Sequence, residues 1–484
     1  MRVGLEIARD SIYSLVMNVA PRLSSALLFI LIGRLAGPER SGVFSLAATY
    51  LGILTAVMRG LDDLLIRQVS RAPERAPEYA TSFVGLRLAS SVVLYGFLAA
   101  LVGWFLRYNA ATTATILILC LSVLPDGLAY VGQSIMQGQR RFALPALVWL
   151  STSVVKLVGG GWLALRGGLA SVAWFWVVVS FLGMAAMLWG ARPEARLQAL
   201  SIHGPNRGAL EWQTALTFLA ITIVLTLESQ TDVILLSIFN TAKTVAWYFA
   251  ATTVTAGLTI VSQAYWSSAY PVMTRYAAQS DEKLTEFYRR SMGYLALFIV
   301  PAAFGLALLA PAIVPLLFGV GFQPTALVLQ LLSLSLVPFF FNEVNTRILL
   351  IKDHQSHMLW FVLASASANI LLNLLFIPAW GERGAALARI CSSLTYFMLS
   401  YGYARRFLSP LNFLRLLSKL LLAAGAMAGI VFFARDWFIL LPVSIGIVIY
   451  VLLLCILKDE SALYVIGMAG DIFTKYRQLI RSSR

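Results

Sequence analysis

The chain has 484 residues, of which 59% are hydrophobic and only 12% are charged, and its mean hydropathy is +0.80. Soluble domains usually carry about 25% charged residues, so this composition excludes a soluble globular protein and indicates a polytopic membrane protein. The formal net charge of +15 does not require a nucleic-acid partner, because basic residues beside a membrane meet anionic lipid headgroups.

Apolar runs of about 20 residues follow one another along the chain, and each is long enough to cross a hydrocarbon core of about 30 Å as a helix. The first run is too long for the core of a signal peptide, so we expect an uncleaved first span. The pattern predicts an all-α polytopic membrane protein with fourteen transmembrane helices. They begin near Ser11, Ser41, Ala80, Thr112, Phe142, Leu169, Glu211, Val245, Thr285, Thr325, Ser356, Gly384, Asn412 and Trp437.

The distribution of basic residues predicts the orientation of these helices. Most of the 37 Lys and Arg residues lie in alternate connections, and this set includes both ends of the chain. By the positive-inside rule, these connections and both termini are predicted to be cytoplasmic. A few basic residues remain inside predicted spans, namely Arg22, Arg59, Arg87 and Lys156.

A stretch near the start of the chain recurs in the second half. Residues 41–71 align with residues 245–275 after a shift of 204 positions. The identities are Ala47/Ala251, Thr49/Thr253, Leu54/Leu258, Thr55/Thr259, Val57/Val261 and Arg71/Arg275. An even number of predicted crossings separates the two copies, so both point the same way through the membrane and the repeat is predicted to be parallel.

The repeat and the long connections predict the domain organisation. Residues 1–190 are expected to form an N-terminal lobe of helices one to six, and residues 211–408 a C-terminal lobe of helices seven to twelve. A cytoplasmic linker at 191–210 joins the lobes. Residues 409–457 form two appended helices without a counterpart, and residues 458–484 form a basic cytoplasmic tail.

Several motifs carry a family resemblance through their order. The first half contains GPERSGVFSLA (37–47) and RGLDDLLIRQVSR (59–71). The second contains TDVILLSIFNTAKTVAWYFAA (231–251), AYPVMTR (269–275), LLFGVGFQPTA (316–326) and NILLNLLFIPAWGERGAALA (369–388). In this order they resemble the multidrug/oligosaccharidyl-lipid/polysaccharide (MOP) exporter superfamily, and within it the Wzx-type O-antigen polysaccharide flippases. The resemblance implies two six-helix lobes around a central cavity that opens alternately to either face.

The cations inside predicted spans are the main candidates for a functional site. A cation at the bilayer centre costs about 2.5 to 3.5 kcal/mol on insertion scales, so it needs a partner, a water-filled cavity or a route to the headgroups. Arg22 and Lys156 lie deep in helices one and five, which favours either a cavity or a buried ion pair. Arg59 and Arg87 lie in the cytoplasmic thirds of helices two and three, where a long side chain can also reach the interface.

The resemblance assigns a role to three arginines. Related lipid-diphosphate flippases line their cavity with arginines from helices one, two and eight that bind the diphosphate, which implies this role for Arg22, Arg59 and Arg275. Arginine suits this role because its planar guanidinium donates hydrogen bonds to two phosphate oxygens at once. The predicted substrate-binding set is completed by Lys156, Arg87 and Gln263. Since Gln263 replaces Arg59 in the second copy, the cationic lining is expected to be heavier in the N-terminal lobe.

Acidic residues inside predicted spans suggest ion coupling. Glu228 and Asp232 are four residues apart on one helix face, and Asp126 lies in helix four. Two interpretations stay open: the acids bind H⁺ or Na⁺ that drives transport, or they neutralise Arg22 and Lys156 across the lobe interface. No cofactor is expected beyond such a coupling ion.

Aromatic residues of helix eight, among them Trp266 and Tyr270, are candidates for stacking on sugar rings, with interfacial anchoring as the alternative. The three cysteines fall in apolar segments and the three histidines in polar connections, which argues against a disulfide framework and a His/Cys metal site.

The leading hypothesis is a flippase for undecaprenyl-diphosphate-linked polysaccharide repeat units. It would carry them by alternating access from the cytoplasmic to the periplasmic leaflet of a bacterial inner membrane. Its expected partners are this lipid-linked oligosaccharide, membrane lipids and a polysaccharide polymerase or ligase. The alternatives are a MATE-like multidrug or cation antiporter and a lipid II-type flippase of the same superfamily. An enzyme is not expected, because neither a nucleotide-binding Gly-Lys loop nor a plausible Ser/His/Asp set is present.

Overall fold

The computed structural model describes residues 2–106, 108–191, 212–408, 412–434, 439–459, 461–465 and 467. These residues are almost entirely helical, and no β-strand occurs among them. The helices are α1 (Arg2–Arg59), α2 (Asp62–Arg71), α3 (Ala76–Ala100), α4 (Ala110–Cys120), α5 (Val123–Gly138), α6 (Ala143–Arg166), α7 (Gly168–Gly190), α8 (Trp212–Phe239), α9 (Ala242–Ala277), α10 (Asp281–Phe318), α11 (Thr325–Ile351), α12 (Gln355–Ala404), α13 (Phe413–Ala434) and α14 (Leu440–Ile456).

Within the described residues, 10 helical stretches are long and apolar enough to cross a membrane. The two longest helices each contain a glycine with a non-helical backbone, Gly37 in α1 (φ 82°, ψ 176°) and Gly381 in α12 (φ 55°, ψ −129°). Glycine tolerates a positive φ because it lacks a Cβ, so one helical segment ends there and the next begins. The predicted all-α polytopic class is confirmed, while the number of fourteen spans stays a prediction.

The side chains are distributed as a hydrocarbon solvent requires. Large apolar side chains such as Phe433, Trp104 and Leu375 are exposed on the helix surfaces, whereas Ser45 and Asn345 are buried between helices. Lipid cannot satisfy polar groups, so helices turn small and polar residues toward one another and hydrogen-bond across their interfaces.

The internal repeat is visible in the backbone. The helical segment after Gly37 begins at Pro38, and α9 begins at Ala242, which reproduces the shift of 204 positions (242 − 38 = 204). Two further pairs of residues share a positive φ and are both 213 positions apart: Arg140 (60°) with Asp353 (58°), and Gly168 (80°) with Gly381 (55°). Turns of the same kind at a constant spacing support the predicted duplication.

By contacts, the chain separates into two compact units, Met1–Phe249 and Ala250–Arg484. Apart from Ala191, the predicted linker at 191–210 lies outside the described residues, as does most of the predicted tail at 458–484. The predicted lobe boundaries therefore stay a prediction.

Each unit is held together by packed helices with a few polar contacts. In the first unit, α1 packs against α4, α6 and α8, and α5 packs against α2, α3 and α7. The Ser24 hydroxyl donates to the Ser153 carbonyl at 2.6 Å, which joins α1 to α6. In the second unit, α11 packs between α10 and α12, and α13 packs on α10 and α14. The Tyr288 hydroxyl donates to Asn345 Oδ1 at 2.7 Å, and this bond ties α10 to α11.

A close approach of two backbones joins α1 to the start of α9 within the first unit. A Cβ on Gly42 would lie 1.8 Å from the carbonyl oxygen of Ala242. In the same unit, the Tyr108 hydroxyl lies 3.1 Å from the Tyr50 hydroxyl and 2.6 Å from Ser237 Oγ. Burial raises the pKa of Tyr108 above the ordinary value of a tyrosine hydroxyl.

We expect Gly42→Ala to lower the free energy of unfolding by about 1 to 3 kcal/mol, because the added methyl group forces the two backbones apart. Thermal unfolding of the purified protein in detergent measures the effect. Gly96→Ala in α3 is the matched control, since no atom lies within 4 Å of its added Cβ. Equal melting temperatures for the two variants would show that the contact at Gly42 contributes nothing.

Candidate functional site

Arg22 and Arg59 come together on the surface of the first unit. Asn18 and Arg22 are four residues apart on α1 and therefore share one helix face. Arg59, at the other end of α1, donates from Nη2 to Asn18 Oδ1 at 3.5 Å, and its guanidinium lies 5.1 Å from the ring centroid of Tyr130 on α5. We call Asn18, Arg22, Arg59 and Tyr130 the arginine surface.

Arg22 is a cation of the arginine surface without an acidic partner among the described residues. Its side chain is exposed, and it makes no hydrogen bond or ion pair with any residue that the structure describes. It also lies within electrostatic range of Arg59. Two like charges held close together at membrane depth repel each other and are costly there. An anion that contacts both guanidinium groups would remove this cost.

A buried carboxylate contacts Arg59 of the arginine surface from the interior of the first unit. Asp62, at the start of α2, forms an ion pair with Arg87 of α3, whose side chain is only 3% exposed. Asp62 Oδ2 also lies 3.6 Å from Arg59 Nε. Arg87 donates a further bond to Met58 Sδ at 3.8 Å. The structure thus places Arg87 inside the protein, where it holds Asp62, and leaves Arg59 partly available.

Lys156 lies in a separate buried cluster. Its Nζ donates to Ser180 Oγ on α7 at 2.9 Å and lies 4.6 Å from the ring centroid of Trp176. Asp126 of α5 is also buried and interacts with both Ser180 and Lys156. Asp126, Lys156 and Ser180 line a small cavity with room for about one water molecule. The geometry therefore favours neutralisation of Lys156 by Asp126 within the first unit.

The two acids of α8 differ in their surroundings. Asp232 is fully buried and accepts a hydrogen bond from the Tyr248 hydroxyl. Glu228, one turn earlier, is half-buried. Among the described residues, no group of three or more His, Cys, Asp and Glu side chains is arranged to hold a metal ion. Ion coupling through these acids stays a prediction.

The second unit holds the remaining candidates. Gln263 and Arg275 are exposed on α9, and neither makes a hydrogen bond or ion pair with another described residue. They are twelve positions apart on one helix, so they do not belong to one compact contact site. A direct role of Arg275 in diphosphate binding stays a prediction.

Asn18, Tyr130 and Ser180 are among the residues of these clusters that were not predicted. Two of them carry a signal in the sequence. Asn18 precedes Arg22 by four residues and Tyr130 follows Asp126 by four, so each shares a helix face with a predicted site residue. Ser180 carries no such signal, because its only relation to Lys156 is the packing of α6 against α7.

Comparisons with known proteins give a family and a fold. The model of a family described as polysaccharide biosynthesis protein matches residues 30–327. The probable low-salt glycan biosynthesis flippase Agl15 of Haloferax volcanii is 24% identical over 413 residues, which are 84% of this chain and 85% of that protein.

Two solved structures are similar over most of this chain. A structure of the lipid II flippase MurJ in an inward closed conformation has a TM-score of 0.74 at 14% identity and covers 93% of this chain and 99% of its own. An inward-facing multidrug resistance MATE family transporter of the MOP superfamily has a TM-score of 0.68 at 16% identity. It covers 81% of this chain and 97% of its own. The chain therefore has the fold of these transporters.

Proposed function

Since the chain belongs to the polysaccharide biosynthesis protein family, we propose that it is the flippase for an undecaprenyl-diphosphate-linked oligosaccharide. It is a multi-pass membrane transporter and not an enzyme, as its family, its glycan-flippase relative and its transporter fold indicate. The proposed direction is from the cytoplasmic to the periplasmic leaflet of a bacterial inner membrane, with both termini in the cytoplasm.

The observation that carries this proposal is the arginine surface. Arg22 and Arg59 are exposed, close to each other and only partly neutralised, with Asp62 as the carboxylate nearest to Arg59. A diphosphate brings several anionic oxygens on two neighbouring phosphorus atoms, which two guanidinium forks can bind together.

The geometry also supports release of the substrate. A transported ligand must bind strongly enough to enter and weakly enough to leave. Asn18, Tyr130 and Asp62 all hold Arg59 in place through weak contacts of 3.5 Å, 5.1 Å and 3.6 Å. When the diphosphate departs, Asp62 remains as the ion-pair partner of the Arg59 guanidinium. The empty site therefore avoids the full free-energy cost of an unpaired cation in the membrane.

The other predicted residues have secondary roles in this proposal. Gln263 and Arg275 would contact the substrate from α9. Lys156 and Asp126 would act as an internal neutral pair that stabilises the first unit. Coupling to H⁺ or Na⁺ would then use Glu228 or Asp232. A polysaccharide polymerase or ligase would receive the flipped substrate.

A multidrug antiporter is the second candidate, supported by the likeness to the MATE fold. A cationic drug would need exposed acids in its binding site, whereas the arginine surface exposes cations. A lipid II-type flippase would need the same diphosphate chemistry, so the substrate found in the cell separates it from the proposal.

We expect a strain that lacks the protein to accumulate an undecaprenyl-diphosphate-linked oligosaccharide and to lose surface polysaccharide. Extraction of lipid-linked intermediates with mass spectrometry identifies the accumulated species, and expression of the wild-type chain restores the surface polymer. Accumulation of a peptidoglycan precursor would instead support the lipid II-type function. Increased drug sensitivity with normal polysaccharide would support the antiporter.

A further inference from the structure

A cluster of aromatic and charged side chains lies on α9 and α11 of the second unit. The guanidinium carbon of Arg347 lies 5.8 Å from the ring centroid of Trp266 and 5.8 Å from that of Tyr270. One turn before it on α11, Glu343 accepts a hydrogen bond from Arg347 Nη2 at 3.2 Å. We call Trp266, Tyr270, Glu343 and Arg347 the α9–α11 cluster.

A ligand can reach this cluster. Tyr270 is 36% exposed, and the side chains of Arg347 and Glu343 are 33% and 29% exposed. The cluster also has unused donors, because Arg347 Nε and Trp266 Nε1 are buried without a hydrogen-bond partner among the described residues. An unpaired buried N–H costs about 1 to 3 kcal/mol, so a ligand oxygen that reaches these donors after a small side-chain movement is favoured.

The charges of the cluster indicate which class of ligand fits. Glu343 and Arg347 neutralise each other, so the cluster is not built for a phosphate as the arginine surface is. A carboxylate acceptor beside a guanidinium donor matches neighbouring hydroxyl groups, each of which donates and accepts. The exposed ring of Tyr270 adds apolar area with a defined shape, which suits the C–H face of a sugar ring, whereas Trp266 is buried and packs against Arg347.

The repeat gives an independent reason to relate this cluster to the substrate. Trp266 corresponds to Asp62 by the shift between α1 and α9 (266 − 62 = 204). Glu343 corresponds to Tyr130 by the spacing of the paired turns (343 − 130 = 213). Two of the four residues of the α9–α11 cluster, Trp266 and Glu343, therefore occupy in the second half the positions that the buried Asp62 and Tyr130 occupy in the first. The repeated helices therefore present cationic side chains in the first half and a neutral, aromatic set of side chains in the second half.

We propose that the α9–α11 cluster is a saccharide-binding subsite that contacts the sugar of the diphosphate-linked lipid, an inference that rests on the proposed function. Tyr270 stacks on a sugar ring, Glu343 accepts from its hydroxyls, and Arg347 donates to them.

Binding of two lipids to the full-length protein in nanodiscs tests the proposal. The probes are undecaprenyl diphosphate, which has no sugar, and the lipid-linked oligosaccharide extracted from the strain that lacks the protein. We expect Tyr270→Leu and Arg347→Met each to weaken binding of the oligosaccharide lipid about tenfold, with undecaprenyl diphosphate unaffected. Arg59→Gln should weaken both lipids.

Phe339→Leu on α11 is the matched control, because it removes a ring that is 37% exposed outside the cluster, and we expect no change in either affinity. Tyr270→Phe keeps the ring and should retain most of the affinity, which assigns the loss in Tyr270→Leu to the ring. Unchanged binding of undecaprenyl diphosphate by Tyr270→Leu and Arg347→Met shows that these variants fold. Equal weakening of both lipids by Tyr270→Leu, or no weakening at all, would overturn the saccharide subsite. If the wild-type protein binds neither lipid, the proposed function fails as well.

Discussion

Replacing Arg22 by Glu is expected to abolish surface polysaccharide while the protein still reaches the membrane in normal amount. Arg22 is exposed and makes no ion pair with a described residue, so its replacement removes the proposed substrate contact and breaks no ion pair of the fold. Hydrogen bonds to charged groups contribute about 1.5 to 3 kcal/mol each, so Arg22→Ala alone should weaken diphosphate binding about 10- to 100-fold. The glutamate adds repulsion to that loss.

The measurement is the amount of surface polymer per amount of membrane-inserted protein. Arg40→Glu is the matched control, since Arg40 is also exposed on α1 but lies outside the arginine surface. Arg59→Gln introduces the residue found at the equivalent repeat position, and we expect a milder loss of about tenfold because Arg22 remains. Normal polysaccharide with Arg22→Glu would remove this residue from the transport mechanism.

Replacing Arg87 by Met is expected to give the largest loss of stability in the first unit. The substitution leaves the buried Asp62 without its main partner, and removal of one member of a buried ion pair typically costs about 3 to 5 kcal/mol. Arg59 remains 3.6 Å from Asp62 and compensates part of the charge. The expected cost is therefore at the lower end of this range, about 3 kcal/mol.

Thermal unfolding of the purified variants measures this effect, with Arg71→Met at the exposed end of α2 as the control. The double variant Asp62→Leu/Arg87→Met should recover most of the lost stability, because both buried charges are then absent. The single variant Asp62→Leu completes the comparison. If the double variant loses as much stability as Arg87→Met and Asp62→Leu together, Asp62 and Arg87 do not stabilise each other.

The features that were predictable from the sequence are those that depend on composition, spacing or a single residue. Apolar runs predict the all-helical membrane class, and the shift of 204 positions predicts the repeat that the helix starts at Pro38 and Ala242 reproduce. Arg22 could be selected as a candidate site residue because a cation inside a span has a high insertion free energy, whichever way its helix is rotated.

The pairings of charged residues were not predictable, because they depend on how each helix is rotated about its axis. Asp62 pairs with Arg87 and Asp126 interacts with Lys156, and in both cases the partners lie on different helices. The sequence places Asp126 with the coupling acids and Lys156 with the substrate cations, whereas the structure brings them into one buried cluster. The breaks at Gly37 and Gly381, by contrast, agree with the predicted helix starts near Ser41 and Gly384.

Translocation by the purified protein in proteoliposomes tests the central claim most directly. The extracted undecaprenyl-diphosphate-linked oligosaccharide is placed in the inner leaflet, and its appearance outside is followed by enzymatic modification of the exposed sugar. Wild-type protein should move the lipid, Arg22→Glu should reduce the rate to that of empty liposomes, and Arg40→Glu should leave it unchanged. Equal rates for wild-type protein and empty liposomes, or for wild-type protein and Arg22→Glu, would contradict a flippase that works through the arginine surface.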